Sequence, residues 1–273
     1  MKILTILSVH DRVDTSLDTF DSILSNLSED VIFLIDGCNW DCWEGVDVAA
    51  HKLKGFRHGC PKSPYRNMAL ALDFACGFGD FDWICYTEYD VLFTSPRIVS
   101  QLMKASEMGV WMIGNDGHVD DKEMPLIESL IGEKLTSHYY LLGCCQFFHR
   151  DFMRKLNEID FFDRFLNMTN EFSEGYMPAY SGYDVSEHMY PSLCRQFGGN
   201  IGVLASYSFG EWHGAYKHYP LRWRPELDPE TEDFDEASVM HPLKDYDHPI
   251  RRKHREKRHG HQDLGLKSSR SGI

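Results

Sequence analysis

The sequence predicts an α/β fold, a mixed and mainly parallel sheet with helices on both faces. Three observations carry that prediction. Short apolar runs are continuous rather than alternating, as in strands buried on both sides. Amphipathic segments at helical spacing separate them. Several runs stop at a polar break, where the ligand-binding loops of open α/β sheets begin. With 273 residues, 42% apolar and 26% charged, the chain can bury a full core without metal or disulfide staples.

Each element follows in order. Lys2–Val9 is a β-branched and Leu-rich run broken by His10-Asp11-Arg12. Thr15 to Leu27 carries Leu17, Phe20, Ile23, Leu24 and Leu27 at helical spacing, and Val31–Ile35 is a second strand stopped by Asp36-Gly37. Pro64 to Phe74 reads as a helix and Trp83–Tyr86 as a third strand, running into Thr87-Glu88-Tyr89-Asp90 and then Val91-Leu92-Phe93. Ile98–Met108 is helical, Val110–Ile113 a strand, Leu141–His149 a strand, and a helix begins at Arg150. Ser186–Phe197 is a helix ended by Gly198-Gly199, followed by a strand at Ile201–Ala205. Past Gly210 no period is clear, and the seven acids of Glu226–Glu236 read as a solvated loop. The expected organisation is one catalytic domain over 1–250, with a first half at 1–115 and a second at 116–250. A basic, flexible tail is expected over 251–273.

Charge narrows the function. Lys and Arg number 28 against 42 Asp and Glu, a net −14. From Arg251 onward eight basic residues face two acidic ones, so the body before it carries the whole acidic excess. Such a body repels phosphate backbones, and no nucleic-acid partner is expected. It can still hold a divalent cation, and through the cation a phosphate. No apolar run reaches the ~20 residues of a membrane span, and Ile3–Val9 is too short for a signal peptide; the expected location is cytoplasmic, with peripheral contact at a membrane surface. The eight cysteines include the adjacent Cys144-Cys145 and several within apolar runs, and most of them read as reduced, buried thiols.

Glu88-Tyr89-Asp90 is the most informative segment. Alternation along an extended strand end puts Glu88 and Asp90 on one side. Two carboxylates held there call for an oxygen-preferring cation such as Mn²⁺ or Mg²⁺; the competing reading is a pair of solvated acids in a loop.

Five segments in order, spanning roughly residues 1–205, resemble the nucleotide-sugar-dependent glycosyltransferases of the GT-A fold, especially inverting family-two-like enzymes. Val9-His10-Asp11-Arg12 and the helix after it resemble the first strand, nucleotide-contacting turn and helix. Tyr65-Arg66-Asn67-Met68-Ala69 resembles the Ala-Arg-Asn-x-Gly segment, with Ala69 in place of its glycine. Asp82–Phe93 resembles the Asp-x-Asp strand, with Glu88 replacing the first acid. Leu142-Gly143-Cys144-Cys145 through Asp151 resembles the acceptor-side strand, and Gly182-Tyr183-Asp184 the Gly-Glu-Asp segment that supplies the base, with Tyr183 where the family has Glu.

The resemblance implies roles. Asp90 would ligate the metal, and Glu88 would bind it through water or contact the ribose. Val9, His10, Arg12, Asp36, Arg66, Asn67, Glu88 and Tyr89 would line the nucleotide-sugar site, Asp36 at the nucleoside and Arg66 at ribose or phosphate. Met240-His241-Pro242-Leu243-Lys244 resembles the C-terminal segment whose His closes over the metal, with Lys244 set to neutralise phosphate; His213 competes with His241 for the ligand role. Asp184 would be the catalytic base, Glu187 one helical turn on is the alternative, and Asp184 could instead cap the Ser186 helix. The implied reaction is metal-dependent transfer of a sugar from a nucleotide diphosphate, uridine-linked, to the hydroxyl of a glycan or lipid-linked acceptor, with inversion. Three rivals stay open: a retaining transferase, a nucleotidyltransferase, against which stands the lack of a Gly-rich phosphate loop near residue 10, and an inactive nucleotide-sugar or glycan-binding protein. The basic run Arg251–Arg258 reads as solvated tail or as a contact with anionic membrane.

Overall fold

The computed structural model describes residues 1–56, 64–114, 117–120, 124–141, 143–169, 185–203, 221–223 and 238–259. In chain order these form β1 (Ile3–Val9), α1 (Val13–Asn26), β2 (Asp30–Ile35), β3 (His51–Lys54), α2 (Pro64–Phe78), β4 (Trp83–Glu88), β5 (Leu92–Phe93), α3 (Arg97–Glu107) and β6 (Val110–Gly114). There follow β7 (Gly117–Asp120), α4 (Pro125–Ile131), β8 (His138–Leu141), β9 (Cys145–His149), α5 (Arg150–Glu158), α6 (Phe161–Met168) and α7 (Val185–Gln196). The last are β10 (Asn200–Val203), β11 (Leu221–Trp223), β12 (Val239–His241) and α8 (Pro249–His259).

Seven strands form one sheet in the order β10-β6-β9-β4-β1-β2-β3. Every pairing in it is parallel except those of β9, which runs antiparallel to both β4 and β6. The predicted fold class is the observed one. The continuous apolar runs have a direct cause, because both sheet faces are covered. Leu4 and Ile6 of β1 pack in one cluster with Met68 and Leu72 of α2 and Tyr190 of α7. Ile3, Leu7 and Val9 pack in the other with Phe20 and Ile23 of α1 and Leu102 of α3. Two small sheets complete the fold, β11-β12-β5 and β7-β8.

Two expectations need correction. The strand read over Leu141–His149 is two strands in different sheets: β8 pairs with β7, and β9 joins the main sheet. The chain breaks at Gly143, whose N–H donates to the Glu187 carboxylate of α7. A Cβ at Gly143 would stand 2.9 Å from that carboxylate oxygen, so the approach needs glycine. The basic segment from Arg251 is not a free tail, for residues 251–259 lie within α8. Arg251, His254, Arg255 and Arg258 fall on one face of that helix, and the face is turned onto α1. Arg251 and Arg258 reach Asp18 at 2.7 and 2.5 Å, Arg255 reaches it at 3.3 Å, and Arg258 and His259 reach Asp21 at 2.9 and 2.6 Å. A basic run reads locally as solvated; its acidic partner stands more than 230 residues earlier in the chain. Residues 260–273 lie outside the described residues.

Candidate metal centre

β1, β2 and β4 are neighbours in register, with Ser8 opposite Glu88 and Val9 opposite Ile35. Their carboxyl ends therefore form one rim, and His10, Asp36 and Glu88 stand along it. Val9 itself is buried beneath. Asp36 caps its own turn, accepting the Cys38 N–H at 2.8 Å. His10 is exposed and meets the Tyr89 ring edge-on at 5.8 Å. Burial, with the Asp90 carboxylate next, pushes the Tyr89 phenol above its ordinary value. Arg12, exposed, precedes α1.

The two acids converge through a turn rather than through strand alternation. β4 ends at Glu88, and the Val91 N–H returns to the Glu88 carbonyl at 3.2 Å. That turn sends Asp90 inward while Glu88 stays outside: their side chains are 3% and 48% exposed. β12 then pairs antiparallel with β5, Met240 opposite Leu92 and Val239 opposite Phe93, which carries His241 to the same point. One donor atom each from Glu88, Asp90 and His241 lies within 4.8 Å of the others. His241 Nε2 stands 3.3 Å from Asp90 Oδ1 and 4.0 Å from Glu88 Oε2.

The donor set fits a divalent cation. Asp90 Oδ1 is buried without a hydrogen-bond partner among the described residues, an arrangement that is costly for a carboxylate unless something neutralises it. Two carboxylate oxygens and one imidazole nitrogen suit Mn²⁺, and the oxygens suit Mg²⁺. The surroundings are electronegative: burial first, then Cys145, and then Glu88, Asp90 and Glu187 push the Cys144 thiol well up.

Other expected residues stand as follows. Arg66 and Asn67, in the first turn of α2, are buried. Arg66 lies over the Phe56 ring at 4.3 Å and donates to the Leu166 carbonyl at 3.3 Å, and burial lowers its pKa. Asn67 accepts the Phe56 N–H at 2.6 Å, and the Phe56 carbonyl in turn accepts Gly37 N–H at 3.2 Å, so the pair braces the Asp36 loop from below. Lys244 is exposed beside α1, its carbonyl accepting the Thr15 hydroxyl at 3.2 Å. Glu187 is buried in the first turn of α7 and holds Gly143; the next carbonyl, that of Cys144, accepts the Glu88 N–H at 3.0 Å. Asp184 and His213 lie outside the described residues. The sequence reading missed Thr19, whose hydroxyl lies 2.5 and 2.8 Å from the Tyr89 and Val91 carbonyls on either side of Asp90. No local signal marks a threonine inside a helix for such work.

No protein-family model matches the chain, and no curated protein matches it in sequence. Among solved structures it is similar to an active-site mutant of LgtC, at 13% identity over 94% of each chain with a TM-score of 0.47. It is similar also to the galactosyltransferase LgtC in complex with donor and acceptor sugar analogs, at 14% identity over 88% of this chain and 86% of that one, TM-score 0.45. A third is a glycosyltransferase involved in glycosylation of the major capsid of PBCV-1, at 13% identity over 94% and 98%, TM-score 0.47. At those values the likeness bears on neither donor, acceptor nor mechanism.

Proposed function

We propose that this protein is a metal-dependent glycosyltransferase that moves a sugar from a nucleotide diphosphate sugar, uridine-linked, to a hydroxyl of a glycan or lipid-linked acceptor. One observation carries the reading: Glu88, Asp90 and His241 meet at the carboxyl-end rim of β1, β2 and β4, with Asp90 Oδ1 buried, 3.3 Å from His241 Nε2 and without a hydrogen-bond partner among the described residues. In open α/β sheets that rim is where ligands bind. These three residues would hold Mn²⁺ or Mg²⁺, and the ion supplies charge neutralisation for a leaving diphosphate.

The chain's own residues do the rest. Asp36, on the turn that Asn67 and Phe56 brace, is placed for the nucleoside. His10 and Tyr89 offer an aromatic edge beside it, and Arg12 and Lys244 offer cations for phosphate near the start of α1. Asp184 takes the proton of the acceptor hydroxyl, or Glu187 does so one helical turn on. A base on the face of the sugar opposite the leaving diphosphate gives inversion.

Thermal shift against a panel of nucleotides and nucleotide sugars, with and without Mn²⁺, tests the reading. A ligand at 100 times its dissociation constant stabilises by about 2.7 kcal/mol. Uridine diphosphates are expected to stabilise only with the metal, and a panel with no metal-dependent shift would sink the proposal. Proton NMR of the product's anomeric centre then separates inversion from retention.

A further inference from the structure

We infer that Arg251 is a positioning residue of the metal centre, joining the two chain segments that carry its three donors. The inference rests on the proposed metal site and extends it to α8. The Arg251 side chain is wholly buried and makes four hydrogen bonds. Its Nε donates to the Leu243 carbonyl at 2.7 Å, two residues beyond His241. Its Nη2 donates to the Tyr89 carbonyl at 3.2 Å, one residue before Asp90, and to the Thr19 hydroxyl at 3.0 Å. Its Nη1 donates to Asp18 at 2.7 Å.

These bonds close a ring. Leu243 N–H donates to the Asp90 carbonyl at 2.8 Å, so Arg251, Tyr89, Asp90 and Leu243 are linked in one circuit. The guanidinium spans the gap between the Glu88–Asp90 turn and the His241 segment, and Asp18 anchors it to α1. Thr19 braces the same turn from α1. The planar guanidinium serves four acceptors from three nitrogens; an ammonium, with three donors on a single nitrogen, cannot reproduce that spread.

The imidazole depends on this scaffold. Metal-bound histidines are ordinarily oriented by a partner on the second ring nitrogen. His241 Nδ1 is buried and has no hydrogen-bond partner among the described residues. Its orientation is therefore set through the backbone of β12 and the link to Leu243, which Arg251 holds.

The test is Mn²⁺ affinity of the full chain, by electron paramagnetic resonance of the free ion, for the parent, Arg251→Lys and Thr19→Val, with a melt of each metal-free protein. Phe165→Leu, in the opposite cluster, serves as a variant that lowers stability away from the site. Arg251→Lys is expected to weaken Mn²⁺ binding at least tenfold at a temperature where it is folded, Thr19→Val about threefold, and Phe165→Leu not at all. Parent affinity in Arg251→Lys overturns the inference. So does an equal loss in Phe165→Leu, which would make the effect one of general stability. If Arg251→Lys does not fold, Thr19→Val decides, and parent affinity there overturns the inference. A parent that binds no Mn²⁺ overturns both this inference and the metal site beneath it, whereas binding in the parent with no loss in the variants overturns this inference alone.

Discussion

The two arms of the candidate metal centre are built in opposite ways. Glu88 and Asp90 lie two residues apart at the end of a central strand, and a single turn brings them together. His241 comes from a three-residue strand at the far end of the described chain and reaches them through pairing with the two-residue β5. The first arm continues a strand of the main sheet, while the second rests on the pairing with β5 and on the Leu243 carbonyl that Arg251 of α8 holds. A site can therefore have one rigid, local half and one half whose placement depends on contacts made late in the chain.

The strongest way to break that contrast is to remove Asp18, whose buried carboxylate faces Arg251, Arg255 and Arg258. Taking away one partner of a buried ion pair costs about 3–5 kcal/mol. Asp18→Asn should lose stability on that scale in urea, and parent-like unfolding would show that the late arm does not depend on the cluster. Asp90→Asn strikes the local arm. It should weaken Mn²⁺ and Mn²⁺-dependent nucleotide binding by about 100-fold, since it removes ligand charge as well as geometry. Without metal it should melt no lower than the parent, because the change removes a buried charge whose Oδ1 has no hydrogen-bond partner among the described residues. Calorimetry with and without Mn²⁺ reads both effects.

His241→Gln tests the far arm directly. About tenfold weaker Mn²⁺ binding is expected with little change for Mg²⁺, because imidazole suits the transition metal and carboxylate oxygens suit either. Equal losses for the two ions would mean that His241 shapes the site without ligating. The last test is on pH. Burial, then the Arg258 charge, holds His254 down to about 3. A histidine neutral in the folded protein and ordinary when unfolded contributes stability above about pH 6.5. That stability is lost as the pH falls toward 3, at most about 1.4 kcal/mol per pH unit. His254→Phe should flatten that part of the stability profile, and an unchanged slope would assign it to other groups.

Much of the fold was legible because its signals are local. The strands β1, β2, β4 and β6 are continuous apolar runs, and α1, α3 and α7 carry helical periods, so their ends were placed to within a few residues. β3, β7, β11 and β12 are three or four residues long and leave no period to read. Within the site, Glu88 and Asp90 stood out by their place after a buried strand. His241 and Lys244 were singled out through a family resemblance, since one histidine among 14 carries no signal of its own. Arg66 and Asn67, expected at the donor, are buried side chains that meet Phe56 beside the Asp36 loop, a depth that no local pattern records.

By itself, then, the sequence determined what period and composition can encode: a sheet covered on both faces, the strand ends that form its rim, and an acidic pair on that rim. The tertiary structure decided what depends on distance along the chain. It turned the basic run of α8 from a solvated tail into a buried partner of Asp18, and it brought His241 to Asp90. The physical reason is that desolvated charge pairs and short cross-strand pairings exist only after the chain has closed on itself. Nothing in the residues beside Arg251 records that a carboxylate more than 230 positions earlier will neutralise it.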